Sequence, residues 1–140
     1  MSERTVVQPN EPVTPPTTPR ANGLTRSVAF WLFWIALAGA VTLAVLPHPP
    51  QLPLDRLGDK FNHMLAFATL TALAEFGLPA EPRWRLAERL SFLGALIEVA
   101  QSIPALHRDC DIRDWVADTL AIVVVTVLMA AVRGAKRGQP

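Results

Sequence analysis

Four apolar stretches, each long enough to cross a bilayer as a helix, follow one another along the chain. The first, residues 28–46, contains 19 residues and no charged side chain. At a rise of about 1.5 Å per residue it would extend roughly 28 Å, close to the ~30 Å thickness of the hydrocarbon layer. The others cover residues 61–78, 86–103 and 115–132. This pattern predicts an all-α integral membrane protein, a bundle of about four antiparallel transmembrane helices.

Prolines separate these stretches. Four of them lie between residues 47 and 53, and Pro79 and Pro104 follow the second and third stretches. Because proline lacks the backbone donor that a helix requires, the chain must leave the bilayer near residue 47. The later connections are short, which predicts antiparallel neighbours in an up-down-up-down bundle. A cleaved signal peptide is the alternative for the first stretch, but the stretch exceeds the usual h-region of about 7–15 residues and no small-x-small cleavage site follows it.

The first 25 residues have a different composition. They carry five prolines, several threonines and few large apolar side chains. Such a segment buries too little apolar surface to offset the entropy lost on ordering. We therefore predict a disordered cytoplasmic tail over 1–25, a transmembrane domain over 26–133 and a basic cytoplasmic tail over 134–140.

The composition narrows the class of protein further. Of the 140 residues, 51% are hydrophobic and only 18% are charged, which is typical of a membrane protein. The net charge of +1, without a tract of interleaved basic and aromatic residues, disfavours a nucleic-acid partner. Cys110 is the only cysteine and no zinc or haem motif surrounds it. We expect membrane lipids as partners, and neither a metal ion nor a cofactor.

Basic residues are unevenly divided between the two ends of the predicted bundle. The tails and the second connection carry nine, whereas the first and third connections carry four. Because basic flanks resist translocation, we predict a multi-pass protein of the cytoplasmic membrane with both termini in the cytoplasm. The nine are Arg4, Arg20, Arg26, Arg83, Arg85, Arg89, Arg133, Lys136 and Arg137, and the four are Arg56, Lys60, Arg108 and Arg113.

In this orientation, the polar residues of the last three stretches gather at the outer end of the bundle. His63 lies near the start of the second stretch, Glu98 near the end of the third and Asp118 near the start of the fourth. A charged side chain at mid-depth costs at least ~2.5 kcal/mol, so intramembrane ionisable residues are candidates for function. The candidate residues of an outward-facing polar pocket are Asp59, Lys60, His63, Glu98, Gln101, Arg108, Asp114 and Asp118.

Each candidate also has a structural explanation. Asp59 and Asp114 stand where carboxylates cap helix N-termini, and with Lys60 and His63 they could form interfacial salt bridges. Arg108, in a connection, could simply be solvated. Glu98, Gln101 and Asp118 could instead hold neighbouring helices together by hydrogen bonds. Both explanations stay open at this point.

Glu75 belongs to the opposite end. It precedes Pro79 by one turn, where Arg83 or Arg85 of the next connection could reach it. We interpret Glu75 as a structural residue and not as part of the pocket.

Three short motifs, each at a predicted helix end, resemble the signature of VanZ-like membrane proteins, a family named for a teicoplanin-resistance accessory protein. The resemblance covers about residues 28–132 and implies a protein of the bacterial cell envelope. The family usually has asparagine, followed three residues later by glycine, where this chain has Asp118 and Ala121. The motifs are Asp59-Lys60-x-x-His63, then Gly94-x-x-x-Glu98-x-x-Gln101, then Arg108 followed by Asp114 and Asp118.

Three functions from different classes fit these residues. The first is a non-enzymatic protein whose pocket binds a lipid headgroup, a lipid-linked precursor or an amphiphilic antibiotic, with Lys60 and Arg108 on a phosphate. The second is an intramembrane hydrolase or transferase that uses the His, Glu and Asp side chains on a lipid-linked substrate. The third, a proton or ion pathway, needs polar residues at successive depths, and these lie in one layer. We favour the first function.

Overall fold

In the computed structural model, the described residues form four α-helices and one short 3₁₀ helix. The structure describes residues 23–48, 50, 58–108 and 110–137. The predicted all-α fold class is therefore confirmed. The elements are α1 (Gly23–Val45), α2 (Asp59–Gly77), α3 (Arg83–Gln101), the 3₁₀ helix (Pro104–Leu106) and α4 (Ile112–Arg137).

The outer helices of the chain extend beyond the apolar stretches that predict them. α1 begins at Gly23, so residues 23–25 of the predicted tail are helical. α4 begins at Ile112, three residues earlier than predicted, and continues past residue 133 to Arg137. The apolar pattern marks the part of a helix that suits lipid, whereas backbone hydrogen bonding continues into the polar flanks. The rest of the two predicted tails, residues 1–22 and 138–140, lies outside the described residues.

Consecutive helices run in opposite directions. At one end of the bundle, the ends of α1 and α3 meet the starts of α2 and α4, where Gln101 Nε2 donates a hydrogen bond to the carbonyl oxygen of Ala44 at 2.9 Å. At the other end, Arg133 of α4 contacts Glu75 of α2. The parallel helices α2 and α4 share the most extensive interface, with α1 packed on α2 and α3 packed on α4.

An apolar core separates the two ends. Leu70 and Ala74 of α2, Leu90 of α3 and Ile122 of α4 are buried in it, as is Phe33 of α1. These positions recur at helical spacing and face the bundle axis. No continuous polar track therefore joins the two ends through these side chains.

α1 and α2 approach closely at one point. A β-carbon added to Gly77 would lie 2.7 Å from the backbone nitrogen of Phe30 and 2.8 Å from its α-carbon. Only glycine permits this distance between two helix backbones without a shift of one of them.

Two of the described helices are long and apolar enough to cross a membrane, over Gly23–Val45 and Ile112–Ala135. Large apolar side chains on both face away from the bundle, such as Ile35, 67% exposed, and Val127, 60% exposed. Lipid would cover such side chains, whereas water would leave them unfavourably solvated. The length, composition and outward faces of α1 and α4 thus support a membrane location.

Candidate functional site

The first turn of α2 meets the first turn of α4 through an ion pair. Lys60 Nζ contacts Asp114 Oδ1 and lies 3.6 Å from Asp111 Oδ2. The Lys60 side chain is 44% exposed and that of Asp114 only 16%. The arrangement therefore places an ammonium group over a largely buried carboxylate at the end of the bundle.

One turn deeper, the same two helices bring His63 and Asp118 together. His63 Nδ1 lies 3.7 Å from Asp118 Oδ2; the Asp118 side chain is buried and that of His63 is 11% exposed. Because α2 and α4 run parallel, residues 60 and 63 of one helix face residues 114 and 118 of the other. The i,i+3 and i,i+4 spacings of the sequence thus become two layers of contacts between neighbouring helices.

Glu98 joins this cluster from the end of α3. It is 5% exposed, and its Oε2 accepts a hydrogen bond from the backbone N–H of Asp111 at 3.0 Å. The bond ties the end of α3 to the residue that precedes α4. Gln101, 3% exposed, instead bonds to Ala44 of α1, which is the helix-linking role predicted as an alternative.

Asp111, which the sequence did not single out, caps α4. Its Oδ1 accepts a hydrogen bond from the backbone N–H of Arg113 at 2.9 Å. That N–H bond, with the positive charges of Lys60 and Arg113, holds the pKa of Asp111 below its usual value. The helix begins three residues earlier than predicted, so Asp114 lies inside the first turn and Asp111 occupies the cap position. The carboxylate of Asp114 still lies at the positive end of the helix and pairs with Lys60. An acidic residue directly before the helix was the available signal.

The remaining candidates lie at the edge of the cluster. Asp59 is the first residue of α2, its side chain lies outside the described residues, and the preceding N-cap is Gly58 with φ of 97°. Arg108 is half-buried in the connection that precedes α4. Cys110 is exposed, and loss of hydration together with the charge of Glu98 raises the pKa of its thiol.

We call the central group the acidic layer. It contains four carboxylates and one ammonium group around an imidazole, so carboxylates outnumber cations. The sequence predicts that Lys60 binds a phosphate, but in the structure its ammonium group contacts two of these carboxylates. Across the described ranges, no group of three or more His, Cys, Asp or Glu side chains has the arrangement needed to hold a metal ion. The acidic layer consists of Lys60, His63, Glu98, Asp111, Asp114 and Asp118.

A second charged group lies at the opposite end. Glu75, 2% exposed, accepts hydrogen bonds at Oε2 from Arg83 Nε at 3.1 Å and from Arg133 at 2.8 Å. Arg133 also donates to the backbone carbonyl of Glu75 at 2.8 Å. The Arg83 contact agrees with the interpretation of Glu75 as structural, whereas the contribution of Arg133 depends on packing between helices distant in sequence. We call Glu75, Arg83 and Arg133 the arginine clamp.

No family model, no curated protein and no solved structure matches this chain.

Proposed function

We propose that this chain is a VanZ-like protein of the bacterial cytoplasmic membrane that binds a lipid headgroup or a lipid-linked precursor at the acidic layer, without catalysing a reaction. In this proposal all four helices span the bilayer, both termini are cytoplasmic, and the acidic layer faces outward. The observation that carries it is the burial of Glu98 and Asp118, with Asp114 only 16% exposed, beside one ammonium group.

Burying a carboxylate in a membrane bundle costs free energy, so such a residue is expected mainly where it has a function. Glu98 and Asp118 are 5% and 1% exposed, and intramembrane ionisable residues mark functional positions by default. A headgroup that supplied a donor at this layer would complete the hydrogen bonding of Asp118, whose Oδ1 has no partner among the described residues. This is the physical reason for assigning binding to this end.

The charges of α2 and α3 are compatible with spanning helices. Each helix has 19 residues, which corresponds to roughly 28 Å at a rise of about 1.5 Å per residue. Glu75 of α2 is paired with two arginines and Glu98 of α3 bonds to Asp111. Since these charges face protein, they do not oppose contact of the outer faces with lipid.

The exposed face of α3 is charged at the start of the helix and apolar further along. Arg85, Glu88 and Arg89 are exposed in its first two turns, whereas Phe92 and Val99 are exposed further on. The proposal places the charged turns among the headgroups of the inner leaflet. Long arginine side chains reach such a position readily.

The single cysteine provides a test of topology. Cys110 is exposed and lies beside the acidic layer, so the proposal places it outside the cytoplasm. A membrane-impermeant maleimide should label wild-type protein in intact spheroplasts. Because the pKa of the Cys110 thiol is raised, labelling should be faster at mildly alkaline pH, where more thiolate is present.

The matched control moves the cysteine to the other end. In Cys110→Ser combined with Ala80→Cys, the new thiol lies in the exposed connection between α2 and α3 and should react only after permeabilisation. Labelling of Ala80→Cys in intact spheroplasts, with protection of Cys110, would reverse the proposed orientation. Equal labelling of both would contradict a four-span bundle.

Binding is tested by native mass spectrometry of the protein extracted with its own lipids. One headgroup class should stay bound to wild-type protein and to Glu88→Gln, an exposed carboxylate on α3, and should be largely lost from Asp118→Asn. Equal retention by all three proteins would contradict binding at the acidic layer. Turnover of a lipid-linked phosphate that Glu98→Gln abolishes would establish catalysis in its place.

A further inference from the structure

We propose that the acidic layer recognises a primary ammonium group, and that the ligand's ammonium takes the place of Lys60 at Asp114 and also reaches Asp118. This inference rests on the proposed function, in which the layer binds a headgroup, and it names the class of headgroup: zwitterionic and bearing a primary amine. It also assigns Lys60 the role of an internal competitor instead of a phosphate ligand.

Asp118 provides an acceptor without a donor. The residue is 1% exposed, and its Oδ1 is buried with no hydrogen-bond partner among the residues that the structure describes. Its other oxygen has His63 Nδ1 at 3.7 Å, which exceeds hydrogen-bond length. A buried acceptor left in this state is destabilising until a donor reaches it.

Lys60 shows which donor the layer accepts. Its ammonium contacts Asp114 and approaches Asp111 at 3.6 Å, although 44% of its side chain remains exposed. Asp114 and Asp118 are one turn apart on one face of α4, so their side chains lie roughly 5–6 Å apart at Cβ. A single ammonium group with three N–H donors can bridge two carboxylates at this spacing.

The sign of the local charge favours a cation. From α2 the layer receives Lys60 and His63, from α3 it receives Glu98, and from α4 and the preceding connection it receives three aspartates. Arg113, whose charge also acts on Asp111, is exposed. The two buried members of the layer, Glu98 and Asp118, are both carboxylates, and the side chain of its one permanent cation, Lys60, is 44% exposed. An anionic phosphate in the position of the Lys60 ammonium would meet like charges at low dielectric.

The probes are three phospholipids with the same acyl chains that differ only in the headgroup. Purified full-length protein in detergent is incubated with equal amounts of phosphatidylethanolamine, phosphatidylcholine and phosphatidylglycerol, and occupancy is measured by native mass spectrometry. We expect phosphatidylethanolamine to exceed the other two several-fold, because choline has no N–H to donate and glycerol has no positive charge. Water-soluble glycerophosphoethanolamine, added as a competitor, separates recognition of the headgroup alone from recognition of a membrane lipid.

Two substitutions with opposite expected effects on lipid binding test the site. Asp118→Asn should lower phosphatidylethanolamine binding about tenfold, because a charge-assisted hydrogen bond is lost. Lys60→Met keeps the apolar stem but removes the competing ammonium, so it should raise binding about threefold or more. Glu88→Gln is the matched control and should bind as the wild type does. A gain of binding in Lys60→Met cannot result from misfolding.

The outcomes separate this inference from the function it rests on. Preference for phosphatidylglycerol, with binding lowered in Lys60→Met, overturns ammonium recognition but keeps a headgroup site at the layer. Equal binding of the ethanolamine and choline lipids, or no effect of Lys60→Met, also overturns the inference. Binding without any headgroup preference and without loss in Asp118→Asn overturns both proposals.

Discussion

The carboxylates at the two ends of the bundle differ in the number of cations that contact them. At the arginine clamp, one carboxylate, Glu75, receives charged donors from two arginines and its backbone carbonyl receives another. At the acidic layer, four carboxylates surround one ammonium group, and the ion-pair contact of Asp118 within the described ranges is His63 Nδ1 at 3.7 Å. Glu75 Oε1 and Asp118 Oδ1 are each buried without a hydrogen-bond partner among the described residues, but two arginines also neutralise Glu75. The excess of carboxylates over cations therefore lies at the acidic layer. Such a surplus is destabilising by itself, and stability is commonly sacrificed in this way at functional sites.

The two ends of the bundle also differ in backbone conformation. Both described residues in the left-handed region, Gly58 with φ of 97° and His107 with φ of 49°, lie in connections at the acidic end. Glycine adopts such a conformation without a steric penalty, so of these two only His107 stores backbone strain. The close contact of Gly77 with Phe30 at the other end instead serves packing.

The largest effect is expected at the arginine clamp. Arg133→Met removes two donors from Glu75 and leaves a buried carboxylate with Arg83 alone. Breaking a buried ion pair from one side costs about 3 kcal/mol. We expect that loss in unfolding by sodium dodecyl sulfate in mixed micelles, followed by circular dichroism.

Arg85→Met is the control for this substitution, because Arg85 is exposed and stacks on Trp84. It should change stability by less than about 0.5 kcal/mol. Equal losses for Arg133→Met and Arg85→Met would mean that the clamp is an ordinary surface contact and would remove the contrast between the ends.

The next largest effect concerns packing at the clamp end. Gly77→Ala forces a β-carbon into the backbone of α1 and should cost about 2 kcal/mol, since overpacking at a rigid contact cannot relax. Gly39→Ala is the matched control within α1, because nothing lies within 4 Å of its added β-carbon. It should be neutral or slightly stabilising. A neutral Gly77→Ala would show that α1 and α2 are less closely packed than the structure indicates.

Replacing a carboxylate by the amide of the same shape should change the stability of the protein differently at the two ends. Glu75→Gln removes the charge that two arginines neutralise and should cost about 2 kcal/mol. Asp118→Asn removes a buried charge without a cationic partner of comparable quality, so stability should stay the same or rise by up to about 1 kcal/mol. Thermal unfolding of both variants in one detergent provides the measurement. A large loss in Asp118→Asn would make the acidic layer structural as well.

The smallest effect is a pH dependence at Asp111. Its folded pKa is lowered by the Arg113 N–H and by the charges of Lys60 and Arg113. Its stabilising contribution is therefore complete above the unfolded pKa of about 3.9 and is lost as the pH falls through the lower folded value. Asp111→Asn retains a capping side chain but not the charge. Wild type should be the more stable of the two near neutral pH, and the difference should vanish in strong acid. A difference that persists there would assign the effect to the cap alone.

Much of the candidate site was readable from the sequence. The spacings between Asp59 and His63, Glu98 and Gln101, and Asp114 and Asp118 placed each set on one helix face, because helical periodicity is a local property. The residues that sequence reasoning missed, Asp111 and Arg133, act through helix boundaries and through contacts between distant segments. Their roles cannot be inferred from local periodicity.

By itself, the sequence determined that the chain forms helices, how many there are, roughly where each begins and ends, and that polar residues collect at one end. These properties follow from apolar runs, prolines and charges that act over a few residues. Only the tertiary structure decided that α2 packs beside α4, so that Lys60 is occupied by aspartates and Glu75 is held by arginines 8 and 58 residues away. The choice of neighbours depends on the fit of whole helix faces, such as the close contact at Gly77, and it placed the lysine predicted to bind phosphate against two aspartates.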